Sequence, residues 1–252
     1  MRNLILPILF ILCLSFQASA LGPMSLMSGM GTGLVHDLDM ETGGAITTVP
    51  NAGSAGDWEC NPANTLADFL DGTTFKEGSY SYDLRAENEY IIAQDNNTST
   101  TFRVTFWWRP DLEADNLRFF GMGNADATQE AGEIILRQLW SSPDITLGFT
   151  AEKSGTGDVT KNGTDVFAVD TWYCLGFDVD TNSGGTIAIT GKYATDVTTC
   201  EWESEGSWTG MTFGSWSTNP DAIATPAAPF HLGIDASLES DCRIDGFRAV
   251  EY

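Results

Sequence analysis

The sequence predicts an all-β fold of two packed antiparallel sheets, and three observations predict it. In Thr101–Asp111, Phe102, Val104, Phe106 and Trp108 alternate with Arg103, Thr105, Trp107 and Arg109. That is the period-two signature of a strand with one face in a core. Thr171–Asp180 repeats the pattern, with Tyr173, Leu175, Phe177 and Val179 sharing one face. Around these two segments, about a dozen short strand-like stretches are separated by turn residues, with no amphipathic helix and no internal repeat. A face of three rings and a valine needs an equally apolar partner surface, hence the second sheet.

In order along the chain, residues 1–20 are expected to be a secretory signal. Arg2 gives a positive start, Leu4–Phe16 is almost wholly apolar, and Ala18-Ser19-Ala20 is a small-x-small cleavage site. The apolar run is short for a membrane span and no other follows it, so membrane insertion is not expected. Residues 21–32, rich in Gly, Ser and Met, form a flexible lead-in to a single domain over 33–252. Gly33–Glu41 opens that domain with a strand. Ala45–Asn64 reads as a long loop tied down by Trp58 and Cys60, and Leu66–Leu70 as one helical turn. Ser79–Leu84 and Glu89–Ile92 are strands, and Asp95–Ser99 a polar turn before the central strand. Leu117–Gly121, Glu133–Trp140 and Ile145–Thr150 follow, then a turn-rich exposed loop over Glu152–Thr164. Thr181–Gly185 is a hairpin turn that returns through Thr186–Tyr193, with Ile187 and Ile189 inward. Val197–Glu205, Met211–Trp216, Phe230–Ile234 and Cys242–Tyr252 complete the strands. In the last of them Ile244, Phe247 and Val250 are the expected core residues, and Gly246 marks a bulge.

The net charge is −23, and removal of residues 1–20 takes one base and no acid, leaving −24. A surface this acidic repels nucleic acid and anionic membranes. Four cysteines remain after that cleavage, Cys60, Cys174, Cys200 and Cys242. An even number in an exported chain points to two disulfides, with three pairings open, and the spacing is not that of a zinc site. Asn96, Asn97 and Asn162 each begin an Asn-x-Ser/Thr sequon.

The order of these segments resembles that of laminin-G-like domains of the concanavalin A-like lectin and glucanase superfamily. Leu34–Glu41 resembles their opening strand, Gly78–Ile91 their Gly-led segment ending in Tyr-Val, and Thr101–Asp111 their central aromatic strand. Thr171–Asp180, Thr186–Gly191, Phe230–Gly233 and Arg243–Tyr252 are similar to the four segments that follow, the last to the closing strand. His36-Asp37 replaces the usual aromatic pair at the start, and the Ala45–Asn64 insertion is long. The resemblance implies a two-sheet antiparallel jelly roll. It also implies the pairing Cys174–Cys200 and Cys60–Cys242, because the closing strand of such domains runs beside the opening region. Finally, it implies a calcium ion at the sandwich rim, with Asp39 and Asp245 at positions where ligands fall.

Two clusters carry potential chemistry. In Cys200–Glu205 the acids Glu201, Glu203 and Glu205 would share one strand face, a row similar to the carboxylates of concanavalin-like glucanases, with Glu201 and Glu205 as the catalytic candidates. The competing reading is an exposed edge strand whose like charges prevent edge-to-edge pairing. Trp202, Trp208 and Trp216 crowd one region with Phe213 and are the candidate sugar-stacking residues, against a role in filling the core. His36 and His231 read as structural. The function expected is non-catalytic binding of a glycan or other extracellular surface ligand by a secreted or periplasmic protein, assisted by calcium. The alternatives are a homo-oligomeric structural or assembly protein of a coat or appendage, and a glycoside hydrolase.

Overall fold

The computed structural model describes residues 35–38, 41, 47–60, 65, 69–84, 90–123, 132–223, 226–233 and 242–252. The signal, the lead-in and Asp39 lie outside them. The described residues form sixteen strands. They are β1 (Val35–Asp37), β2 (Thr48–Val49), β3 (Trp58–Cys60), β4 (Leu70–Asp71), β5 (Ser81–Asp83), β6 (Tyr90–Asn97), β7 (Thr101–Pro110) and β8 (Leu117–Met122). Then come β9 (Ile134–Ser141), β10 (Asp144–Lys153), β11 (Gly157–Asn162), β12 (Tyr173–Ser183), β13 (Thr186–Ala194), β14 (Thr209–Gly210), β15 (Ala228–Gly233) and β16 (Cys242–Glu251).

Two antiparallel sheets result. The first runs β14-β13-β12-β7-β16-β5-β4, with β1 also paired to β16; the second runs β11-β10-β9-β8-β15-β6-β3-β2. The expected alternation sets the core. Phe102, Val104, Phe106, Trp108, Leu175, Phe177, Ile187 and Ile189 all lie in one buried cluster between the sheets. Phe106 is central to it, with the rings of Phe119, Phe120, Phe177 and Phe247 centred 5.8–6.4 Å away. His36 of β1 accepts a hydrogen bond from Trp58 Nε1 of β3 across the core at 3.0 Å, which ties the sheets together at one polar point.

The closing strand bulges as expected. Its register with β7 shifts between Asp245 and Arg248, and Gly246 sits there at φ 57°, the left-handed region a Cβ disfavours. The slip puts Ala249, not Val250, into the main core. Other expectations are corrected. Asp95–Asn97 continues β6 instead of turning, and the loop expected over Glu152–Thr164 contains β11, paired to β10 from Gly148↔Asn162 to Lys153↔Gly157. Val197–Glu205 is irregular, as is most of Met211–Trp216.

The Cys174–Cys200 disulfide forms as the resemblance implied. The expected Cys60–Cys242 bridge does not. Both side chains are buried, but Cys60 belongs to the second sheet and Cys242 to the first.

Candidate functional site

The segment that follows β13 folds back over the outer face of the first sheet. Cys174 points outward from β12, and its bond to Cys200 staples this segment down over Trp107, forming a second buried cluster of Trp107, Cys174, Ala194, Val197 and Cys200. Glu77 completes the staple. Its Oε1 accepts Trp107 Nε1 and the Cys200 backbone N–H, each at 2.6 Å, and its other oxygen lies 3.3 Å from Arg248.

The expected acidic row is not formed there. Glu201 heads a turn, Ser204 N donating to its carbonyl at 3.0 Å, and its carboxylate lies 3.7 Å from Arg248. Glu203 is 89% exposed and lies 3.9 Å from Arg103, while Glu205 is exposed on irregular backbone. Without a strand, Glu201 and Glu205 do not share a face.

The tryptophans separate. Trp216 belongs to the main core and donates its Nε1 to Ile187 O at 2.9 Å, so it offers no stacking face. Trp202 lies on Gly176, where an added Cβ would meet its ring at 3.0 Å. Arg103 stands over that ring at 4.2 Å and Lys192 at 4.1 Å, and Lys192 also stands 4.2 Å over Trp208. These rings therefore pack against glycine and cations, a cation–π arrangement that holds the segment in place. Glu77, Arg103 and Lys192 were not singled out in the sequence, because nothing in their local pattern marks a contact made across strands.

Asp245 was expected to bind calcium. It is 1% exposed, and its Oδ2 accepts the backbone N–H groups of Lys76 and Glu77, each at 2.7 Å. A cation needs oxygens, not N–H groups, around it, and no cluster of three or more metal-binding side chains occurs among the described residues. Asp245 does not fit the ion; it organises the turn at residues 76–77.

Burial, with the nearby Glu77 charge, raises the Asp245 carboxyl to about 6, while burial lowers His36 to about 4. Between about pH 4 and 6 the folded chain thus holds a proton on Asp245 that the unfolded chain releases, so this group loses stability as pH rises. His36 acts oppositely, since there the unfolded chain binds the extra proton, so its contribution gains with pH. The two offset each other. In Asp245→Asn the His36 slope should emerge, making the variant gain roughly 2 kcal/mol relative to the parent from pH 4 to 6. Urea unfolding of both proteins at each pH checks this; parallel profiles would contradict it.

The outer face of the second sheet is organised differently. His231, Gly121, Ile135, Thr150 and Thr160 lie in register on β15, β8, β9, β10 and β11. One row further, Arg118, Arg137, Gly148 and Asn162 follow on β8 to β11. Their strand neighbours Ile134, Leu136, Leu147, Phe149 and Ala151 fill the core, which places both rows outward. Gly121 leaves space for the His231 ring, whose Nε2 lies 2.3 Å from where a Cβ would stand. At Gly148 an added Cβ would meet Leu139 Cδ1 at 2.8 Å and Asn162 Oδ1 at 3.0 Å. Arg137 donates to Asn116 Oδ1 at 2.7 Å, and burial, with the facing charge of Arg118, lowers its pKa.

No protein-family profile matches the chain, and no curated protein matches it. Solved structures do. A PL-14 alginate lyase from Aplysia kurodai is 11% identical over 74% of this chain and 88% of its own, with a TM-score of 0.46. The exoplasmic/lumenal domain of VIP36, in a Ca2+- and mannose-bound form, is 9% identical over 77% and 83%, with a TM-score of 0.42. The globular domain of T. cruzi calreticulin is 8% identical over 76% and 82%, also at 0.42. At these identities the likeness is to the jelly-roll sandwich alone.

Proposed function

We propose that the chain is an exported, non-catalytic glycan-binding module of laminin-G-like type that takes its ligand on the outer face of the second sheet. The unequal treatment of the two outer faces carries this reading. One is sealed by a stapled segment whose aromatic rings already pack on glycine and cations. The other carries two registered rows in which the guanidinium groups of Arg118 and Arg137, the Thr160 hydroxyl and the Asn162 amide are not buried, while His231, Ile135 and Thr150 are. Five strands span roughly 19 Å, the reach of an oligosaccharide and not of a single sugar. The disulfide supports export.

Residues 21–252 should bind on a glycan array. Thr160→Trp, which adds bulk to the outward row, should abolish binding in a protein that melts like the parent. Trp202→Ala, on the opposite face, should keep it. Loss in Trp202→Ala with retention in Thr160→Trp would move the site to the stapled face, and the absence of any glycan ligand would remove the reading.

A further inference from the structure

We infer that Trp140, exposed at the end of β9, is the residue on which the saccharide stacks, and that the saccharide is neutral. The inference rests on the glycan-binding reading above and adds a contact residue and a ligand class to it.

The fate of the other tryptophans carries it. The chain has eight. Trp58, Trp107 and Trp108 are fully buried, and Trp216 belongs to the main core. Trp202 and Trp208 are taken by Arg103 and Lys192, and Trp172 packs against the stapled cluster. Trp140, at 36%, is the most exposed of them. Among the described residues no ring or cation stacks on it, and none accepts its Nε1–H.

Its position follows from the strand. On one side of β9, Leu136 is in the core, Gln138 follows and Trp140 comes last. Gln138 is fully buried and closes the core there, its Nε2 donating to Leu112 O at 2.7 Å and to Ala114 O at 3.0 Å. Ile145, the cross-strand partner of Trp140, is in the core. Trp140 therefore lies at the rim, beyond the last core layer. Asp115 Oδ1 accepts its backbone N–H at 3.2 Å, so the ring stands on a strand end pinned by the neighbouring loop. A binding residue held this way is preorganised. Leu112, Glu113, Asp115 and all of Ser141–Asp144 are exposed, which leaves the surroundings open to solvent.

The chemistry of the rim fits a neutral sugar. An indole offers a broad, rigid apolar face, matched to the C–H face of a pyranose ring. The hydroxyls at the edge of that ring need a few polar groups nearby, which Asp115, Ser141, Ser142 and Asp144 supply. In residues 111–116 and 141–144 every ionisable side chain is acidic: Asp111, Glu113, Asp115 and Asp144. Asp111 is engaged by Arg109 and Arg243, while the other three are exposed. A carboxylate or sulfate on the ligand would be repelled here. Trp140 lies three residues past Arg137 on β9, about 10 Å along the strand, so the rim adjoins the outer face.

The test uses laminarin, mannan and polygalacturonate. The parent should bind at least one of the two neutral polymers and ignore polygalacturonate; if it binds neither, its tightest neutral array glycan takes their place. Trp140→Ala should weaken that binding roughly tenfold or more, the size expected for truncating an aromatic anchor. It should melt close to the parent, because the side chain is outside the core. Trp140→Phe should keep part of the affinity, since a smaller ring remains. The ligand should also shift the tryptophan fluorescence of the parent but not of Trp140→Phe, and this reading decides the matter if Trp140→Ala fails to fold. Neutral-glycan binding unchanged in a folded Trp140→Ala would overturn this inference and leave the glycan-binding reading. Binding confined to anionic glycans, or equal for both kinds, would also overturn it. Loss in Trp140→Ala with retention in Thr160→Trp would uphold the inference and move the ligand from the outer face to the rim. No binding to any polymer or array glycan would overturn both.

Discussion

Trp108→Ala is expected to lose about 3–5 kcal/mol of folding stability, the range for emptying a buried tryptophan site. Trp108 is fully buried, stacks on Phe119 with ring centroids 5.4 Å apart, and meets Phe167 edge-on at 5.5 Å. Those neighbours belong to different strands and loops and have no reason to collapse together into the space. Trp108→Phe should behave very differently. The Trp108 indole N–H is buried without a partner, so the change removes an unmet donor worth about 1–3 kcal/mol and offsets part of the lost ring. The same substitution at Trp58 is the control. There the N–H donates to His36 Nδ1, and Trp58→Phe strands a buried acceptor. Urea denaturation should therefore order the variants Trp108→Ala worst, Trp58→Phe next and Trp108→Phe mildest. Equal costs for the two Phe variants would show that partnership of the indole N–H does not decide the outcome.

The core was legible in the sequence because each strand states its own burial. Phe102 to Trp108 and Tyr173 to Val179 alternate, and the alternation alone picks out the residues that meet between the sheets. Where one apolar residue stands in a polar strand, the signal fails. β11 has only Val159 facing the core, and its polar remainder reads as a loop. The converse error came from Val197–Glu205 and Met211–Trp216, whose aromatic and aliphatic residues pack from irregular backbone held by Cys200, Glu77 and Lys192. The candidate site was hidden for a further reason. Arg118, Arg137 and Gly148 are unremarkable in their own segments, Asn162 is marked only by its sequon, and the four become a row only through register between strands. A sequence read segment by segment carries no statement of register, and a slip of one residue would turn every one of these side chains inward.

Opening the Cys174–Cys200 bridge, by reduction or by the double change Cys174→Ala and Cys200→Ala, should be the second large loss, about 3 kcal/mol. The bond closes a loop with a sequence separation of 26, and restoring that freedom to the unfolded chain accounts for a loss of this order. The loss should also have a location. The cluster under the staple is separate from the main core, and beyond the disulfide its covering segment is held by Glu77 on the Cys200 N–H and by Lys192 on the Trp202 carbonyl at 2.6 Å. Without the bridge, the Trp107 side of the sheet should admit water first. Hydrogen exchange should speed over residues 194–208 while the amides of β7 and β12 stay protected until global unfolding. Because the staple and the Arg137 row lie on opposite outer faces, saccharide binding should survive reduction below the melting transition. A reduced protein that stays folded but no longer binds would place the ligand on the stapled face, and uniform exchange across both sheets would show that the bridge stabilises the whole sandwich without sealing one side of it.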